Sequence, residues 1–170
     1  MKDLDWSNLS FGYRQTDYNV RCYYRDGKWG EIEVCSDEYL KLHMAATCLH
    51  YGQEAFEGLK AYRCPDGKVR VFRMDENAKR LQSTCRGILM PEVPTEMFEE
   101  MVKKVVRLNQ EWIPTYESGA TLYIRPYMFG SNPVIGVKPA DEYQFRILTT
   151  PVGPYFKGGA KPITIRVTDF

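Results

Sequence analysis

The stretch at 57–89, EGLKAYRCPDGKVRVFRMDENAKRLQSTCRGIL, decides the fold. Its first half reads as a strand, a Pro-Asp-Gly turn at 65–67, and a second strand, VRVFR. Then the period changes. Asp75 is a good N-cap and helix formers follow it. Ala78, Leu81, Cys85 and Leu89 recur at intervals of three and four, which is helical spacing. A hairpin that runs straight into a helix predicts an α+β domain.

The flanking sequence extends this pattern. YNVRCYYRDGKWGEIEV at 18–34 reads as two strands around Asp26-Gly27, again a hairpin signal. PTEMFEEMVKKVVRLNQEWIP at 94–114 predicts a second helix. Thr95 caps it, Glu96, Glu99 and Glu100 load its positive end, and Lys103, Lys104 and Arg107 come later. Phe98, Met101, Val102, Val105, Leu108 and Trp112 form its buried stripe, and Pro114 stops it. ATLYIRPYMFG at 120–130 returns to strand, with Pro126 breaking it or placing it at an edge. YQFRILTTPV at 143–152 is another strand. GPYFKGGAKP at 153–162 has three glycines and two prolines and reads as a linker or functional loop. ITIRVTDF at 163–170 begins a new strand. The expected fold is an α+β small domain over 1–152, an antiparallel sheet with two main helices packed on it. A linker at 153–162 and the first strand of a second domain at 163–170 follow.

Composition excludes several classes of function. The 170 residues carry a net charge of +1 with no basic tract, so no bulk field argues for nucleic acid or an anionic membrane. No apolar run is long enough to span a bilayer. The N-terminus MKDLDWSNLS is acidic and polar, unlike a signal peptide. The five cysteines, Cys22, Cys35, Cys48, Cys64 and Cys85, are odd in number, widely spaced and without a CxxC. That argues against a disulfide framework or a zinc site, and for free thiols in the cytoplasm. Twelve tyrosines fit either pocket walls or core and interface.

Few residues could carry chemistry. His43 and His50 have no metal-ligand spacing, no nucleophile elbow appears, and Gly158-Gly159 lacks the strand–loop–helix context of a phosphate cradle. Glu54 and Glu57 are a carboxylate pair whose geometry nothing sets, so no acid–base role follows. Arg80 lies early in the helix after VRVFR, where its planar fork could take a phosphate; position alone favours a solvated helix arginine. Arg125 sits within LYIRPYMF and shares a strand face with Tyr123 and Tyr127. It would meet a carboxylate if that face lines a pocket, and is an edge charge otherwise.

Taken in order, these motifs resemble the N-terminal half of a branched-chain amino acid aminotransferase, a pyridoxal-phosphate enzyme of fold type IV. The resemblance covers nearly the whole chain: FG at 11–12, HYGQEAFEGLKAY at 50–62, FRMDENAKRL at 72–81, LYIRPYMFG at 122–130 and PVGPYFKGG at 151–159. It implies transfer of the amino group between Leu, Ile or Val and 2-oxoglutarate in a homodimer. It places Tyr51, Phe56 and Phe11 against the substrate's apolar side chain, and Arg80 on the cofactor phosphate. Tyr123 and Arg125 fall near the substrate carboxylate, with part of that wall supplied by the partner subunit. Tyr155 closes the pocket between domains. The physics fits, since such a site must bury a branched alkyl group and also bind a carboxylate.

The sequence departs from the family at one point. The family holds its cofactor as a Schiff base on a lysine that lies after the linker in a V-G-G-N-Y-like context. Lys60, Lys79 and Lys157 are not in that context. The lysine, the remaining phosphate loops and the pyridine-nitrogen glutamate are expected beyond Phe170. No catalytic residue and no metal is therefore assigned here. By itself the chain is expected to be inactive and not to hold pyridoxal phosphate stably. The alternatives are a related fold-type-IV enzyme, such as a D-amino-acid aminotransferase or an aminodeoxychorismate lyase, and a non-catalytic binding domain.

Overall fold

The hairpin expected within 57–73 forms as two strands, β5 (Leu59–Arg63) and β6 (Val69–Val71), paired antiparallel. Its turn uses Gly67 at φ 74°, a left-handed conformation that glycine takes without steric cost. This computed structural model describes residues 1–154 and 161–168. The N-terminal hairpin also forms. β1 (Asn19–Arg25) turns at Asp26 and Gly27, both at positive φ, into β2 (Lys28–Trp29), and pairs again with β3 (Glu33–Cys35). Two successive positive φ values match the strand twist in a two-residue hairpin.

The eight strands make one antiparallel sheet in the order β2-β1-β8-β7-β5-β6, with β4 (Glu54–Phe56) also pairing with β7. The two ten-residue strands β7 (Thr121–Gly130) and β8 (Tyr143–Val152) pair along their full length at its centre. Pro126 thus lies in a central strand and neither breaks it nor marks an edge. Its carbonyl accepts the Glu57 N–H at 2.8 Å, in the gap where β4 has ended and β5 has not begun. A residue's nitrogen and carbonyl point to the same side of a strand, so the missing proline donor faces that gap.

Helices α2 (Met74–Gly87) and α3 (Thr95–Leu108) cover one face of the sheet. Ala78, Leu81 and Cys85 of α2 and Phe98, Met101, Val102, Val105 and Val106 of α3 are buried. They pack on Val20, Leu122, Ile124, Met128, Phe145 and Ile147, and Phe98 stacks on Phe145 at 6.0 Å. Each buried Val, Leu, Ile, Met or Phe among them contributes about 1.5–3 kcal/mol by burial.

The capping expectations are corrected. Arg73, in the left-handed region at φ 44°, is the N-cap of α2, and neither helix has a side-chain cap bond. Asp75 lies within the first turn and pairs with Lys79 at 3.4 Å. Pro94 precedes α3, and Thr95 instead receives the Gln82 amide at 3.4 Å. Leu89 is 70% exposed at φ 56°, because α2 ends two residues earlier and the chain turns away from the core. α3 stops at Leu108 rather than at Pro114, and a 3-10 turn spans Gln110–Trp112. There Asn109, fully buried, bonds both the N–H and the carbonyl of Tyr18, tying the N-terminal arm to the helix end. Leu108 and Trp112 are partly buried against the core.

The strand expected to start at Ile163 makes no ladder in the described residues 161–168, which are exposed. All five cysteines are free. Among the described residues, no helix is long and apolar enough to cross a membrane.

Candidate functional site

Strand alternation fixes the site. Leu122, Ile124 and Met128 of β7 point under the helices and are fully buried. Tyr123, Arg125 and Tyr127 therefore point to the opposite, helix-free face of the sheet. On that face the Arg125 guanidinium lies 4.3 Å from the Phe56 ring centroid and 5.2 Å from that of Tyr123. Its Nε donates to the Tyr123 hydroxyl at 3.0 Å. Phe11, from the N-terminal arm, meets the Tyr123 ring edge-on at 5.2 Å. Two aromatic faces and one hydrogen bond hold the guanidinium, and its outer edge remains available for a carboxylate. A hollow of ≈ 420 Å³ beside it is lined by Glu54, Ala55, Phe56, Arg125, Tyr127, Met128 and Leu148. Burial pushes the Tyr127 phenol pKa up, so it serves as a neutral wall.

Close packing here depends on Gly58. A Cβ on Gly58 would lie 2.7 Å from the Tyr123 hydroxyl oxygen, the same oxygen that holds Arg125.

Arg80 heads a second group. Its Nε and Nη2 donate to the two carboxylate oxygens of Glu57 at 2.7 and 2.6 Å, and the Asn77 amide donates to the same carboxylate at 2.8 Å. Glu57 is 3% exposed, while the Arg80 side chain is 68% exposed. A buried carboxylate is costly unless it is paired and fully hydrogen-bonded, and these three donors supply that. The Glu57 contact also raises the already high Arg80 pKa. Arg80 faces a hollow of ≈ 410 Å³ shared with Phe72, Arg73, Glu76 and Asn77. A phosphate group fits this arrangement, since one edge of the guanidinium is fixed and the rest is presented to solvent with a second arginine nearby. A smaller hollow of ≈ 270 Å³ has both Asn77 and Tyr123 in its wall, so the two groups are contiguous.

The structure thus brings together Phe11, Phe56, Tyr123 and Arg125, with Arg80 next to them. Tyr51 lies apart. It ends the short helix α1 (Thr47–Tyr51), and its hydroxyl donates to the Ile135 carbonyl. Tyr155 falls outside the described residues. Glu57, Gly58 and Asn77 are the members that sequence reasoning missed. Their signal was present, because Asn77 stands three residues before Arg80 on one helix face and can share a partner with it. Another hollow, of ≈ 760 Å³, runs along the charged outer side of α3 and contains none of these residues.

No family model matches the chain. Over all 170 residues it is 51% identical to the branched-chain-amino-acid aminotransferase of Haemophilus influenzae, covering 50% of that protein. Over its whole length the chain is thus similar to about half of a branched-chain-amino-acid aminotransferase. The enzyme of the same name from Helicobacter pylori is 48% identical over 159 residues, 94% of this chain and 47% of that relative. The chain therefore spans about half the length of the curated relatives it matches. The fold agrees. The Escherichia coli branched-chain amino acid aminotransferase superposes with a TM-score of 0.64 at 26% identity, covering 82% of this chain and 41% of that one. The branched-chain aminotransferase of Thermoproteus uzoniensis, solved with norvaline, gives 0.63 at 26%, covering 81% and 43%.

Proposed function

We propose that the protein is a branched-chain amino acid transaminase, exchanging an amino group between Leu, Ile or Val and 2-oxoglutarate with pyridoxal 5'-phosphate. The observation that carries this is a pair of differently held arginines beside one aromatic-walled face. Arg80 is pinned by Glu57 on a rigid helix, and Arg125 is sandwiched between Phe56 and Tyr123. Arg80 holds the cofactor phosphate. When bound, the cofactor supplies the electron sink that lets the substrate α-carbon give up its proton. Arg125, oriented by the Tyr123 hydroxyl, receives a carboxylate. Phe11 and Phe56 exclude water and take the branched side chain.

Tyr51 stands in an exposed apolar surface with Met44, Leu49 and Ile135. That surface suits contact with a partner subunit, and in a homodimer Tyr51 completes the pocket wall. Tyr155 closes the pocket from a linker at 153–162, between a small domain at 1–152 and a second domain beginning at 163. Free cysteines agree with a cytoplasmic enzyme.

The test is amino-donor choice in the full-length gene product. Leucine, isoleucine or valine with 2-oxoglutarate should give the branched 2-oxo acid and glutamate. Turnover of D-alanine with none of leucine would replace this reading by a D-amino-acid aminotransferase.

A further inference from the structure

Glu57 and Gly58 fill the gap between β4 and β5, opposite Arg125 and Pro126 of β7. From this gap the contacts run two ways. The Glu57 N–H donates to the Pro126 carbonyl at 2.8 Å, which fastens the residue to the central strand. Its carboxylate, turned the other way, takes Arg80 through Nε and Nη2 and is held in addition by Asn77. The pair is asymmetric, with the carboxylate 3% exposed and the arginine 68% exposed. The surface pairs Arg70–Asp66 and Arg86–Glu92 differ, because both partners are exposed in each. An exposed arginine ordinarily keeps its rotamer freedom. Here a buried, immobile partner takes that freedom away.

We infer that Glu57 is a positioning residue for the phosphate subsite, fixing the Arg80 guanidinium so that its remaining N–H groups face the hollow beside Arg73, with Asn77 holding Glu57 in turn. This rests on the assignment of Arg80 to the cofactor phosphate. Glu57 acts through Arg80 and touches no ligand itself.

The sign of one effect separates positioning from simple charge. Removing a carboxylate beside Arg80 leaves more positive charge, so electrostatics by itself predicts tighter phosphate binding. Positioning predicts the reverse. The experiment is a fluorescence titration of the full-length gene product with 4-deoxypyridoxine 5-phosphate and with 4-deoxypyridoxine, neither of which carries an aldehyde. In Glu57→Gln the phosphorylated probe should bind roughly tenfold more weakly, as when supporting partners of other binding groups are removed. The dephosphorylated probe should bind as before. Asn77→Ala should act in the same direction to a smaller extent, and it decides the matter alone if circular dichroism shows Glu57→Gln unfolded. Arg80→Gln should erase the preference for the phosphorylated probe. Suppose Arg80→Gln erases it while the other two variants bind the phosphorylated probe as well as before, or lose both probes equally. Then the positioning role is overturned and the Arg80 assignment stands. A preference that survives Arg80→Gln overturns the assignment itself.

Discussion

Gly58 shows how one missing side chain shapes the site. The Tyr123 hydroxyl occupies the space a Cβ would need, and that hydroxyl orients Arg125. Gly58→Ala should therefore push the Tyr123 ring aside, release Arg125, and destabilise the fold by about 1–3 kcal/mol through overpacking. Chemical denaturation reads the stability loss. The KM for leucine in the full-length enzyme should rise together with it. Wild-type stability and KM in Gly58→Ala would show that the Tyr123 contact with Arg125 is dispensable. Glu57 carries the complementary lesson. The sequence presents Glu54 and Glu57 as equivalent acids, yet burial and Arg80 set Glu57 apart, and neither is visible in one dimension.

At the scale of elements, helix α2 joins the site to the core. Its outer side carries Asn77 and Arg80, and its inner side buries Ala78, Leu81 and Cys85. Burial pushes the Cys85 thiol up to about 11 from its ordinary 9.0. The folded state therefore favours the neutral thiol. Its contribution to stability is complete below about pH 9 and is lost as pH rises toward about 11, because the unfolded chain ionises first. Two outcomes are expected. Cys85 should resist thiol alkylation at pH 8 in the native protein while the half-buried Cys35 and Cys64 react. A Cys85→Ala variant should lose less stability than wild type between pH 9 and pH 11. Mass-mapped alkylation and urea titrations across that range check both. Rapid native labelling of Cys85 would mean that α2 does not stay docked. The stripe Ala78, Leu81 and Cys85 was legible from spacing alone. The helix ends were not, because Arg73 in a left-handed conformation and the Tyr18–Asn109 bonds are set by the neighbouring chain.

For the whole molecule, the N-terminal arm matters most. Gly12 and Arg14 hydrogen-bond Thr150 on β8 through their backbones, Thr16 bonds Thr149, and Phe11 rests on Tyr123. Removing residues 1–16 should lower Tm by a few degrees, consistent with a loss of roughly 1–2 kcal/mol in a domain of this size. It should also raise the leucine KM of the full-length enzyme, since one wall of the site goes with the arm. Thermal unfolding and steady-state kinetics together test this, and an unchanged KM would remove Phe11 from the site.

The sequence by itself determined the hairpins, both amphipathic helices and the long strands at 120–130 and 143–152. These are local periodicities and local turn chemistry, which need only near neighbours along the chain. Only the tertiary structure decided that LYIRPYMFG is the centre of the sheet, with Pro126 harmless because it faces the gap between β4 and β5. It likewise decided that Arg80 is held by a glutamate 23 residues earlier, and that the Tyr51 hydroxyl bonds the Ile135 carbonyl. Strand order and the burial of a single carboxylate depend on contacts between distant segments, and no local pattern encodes them.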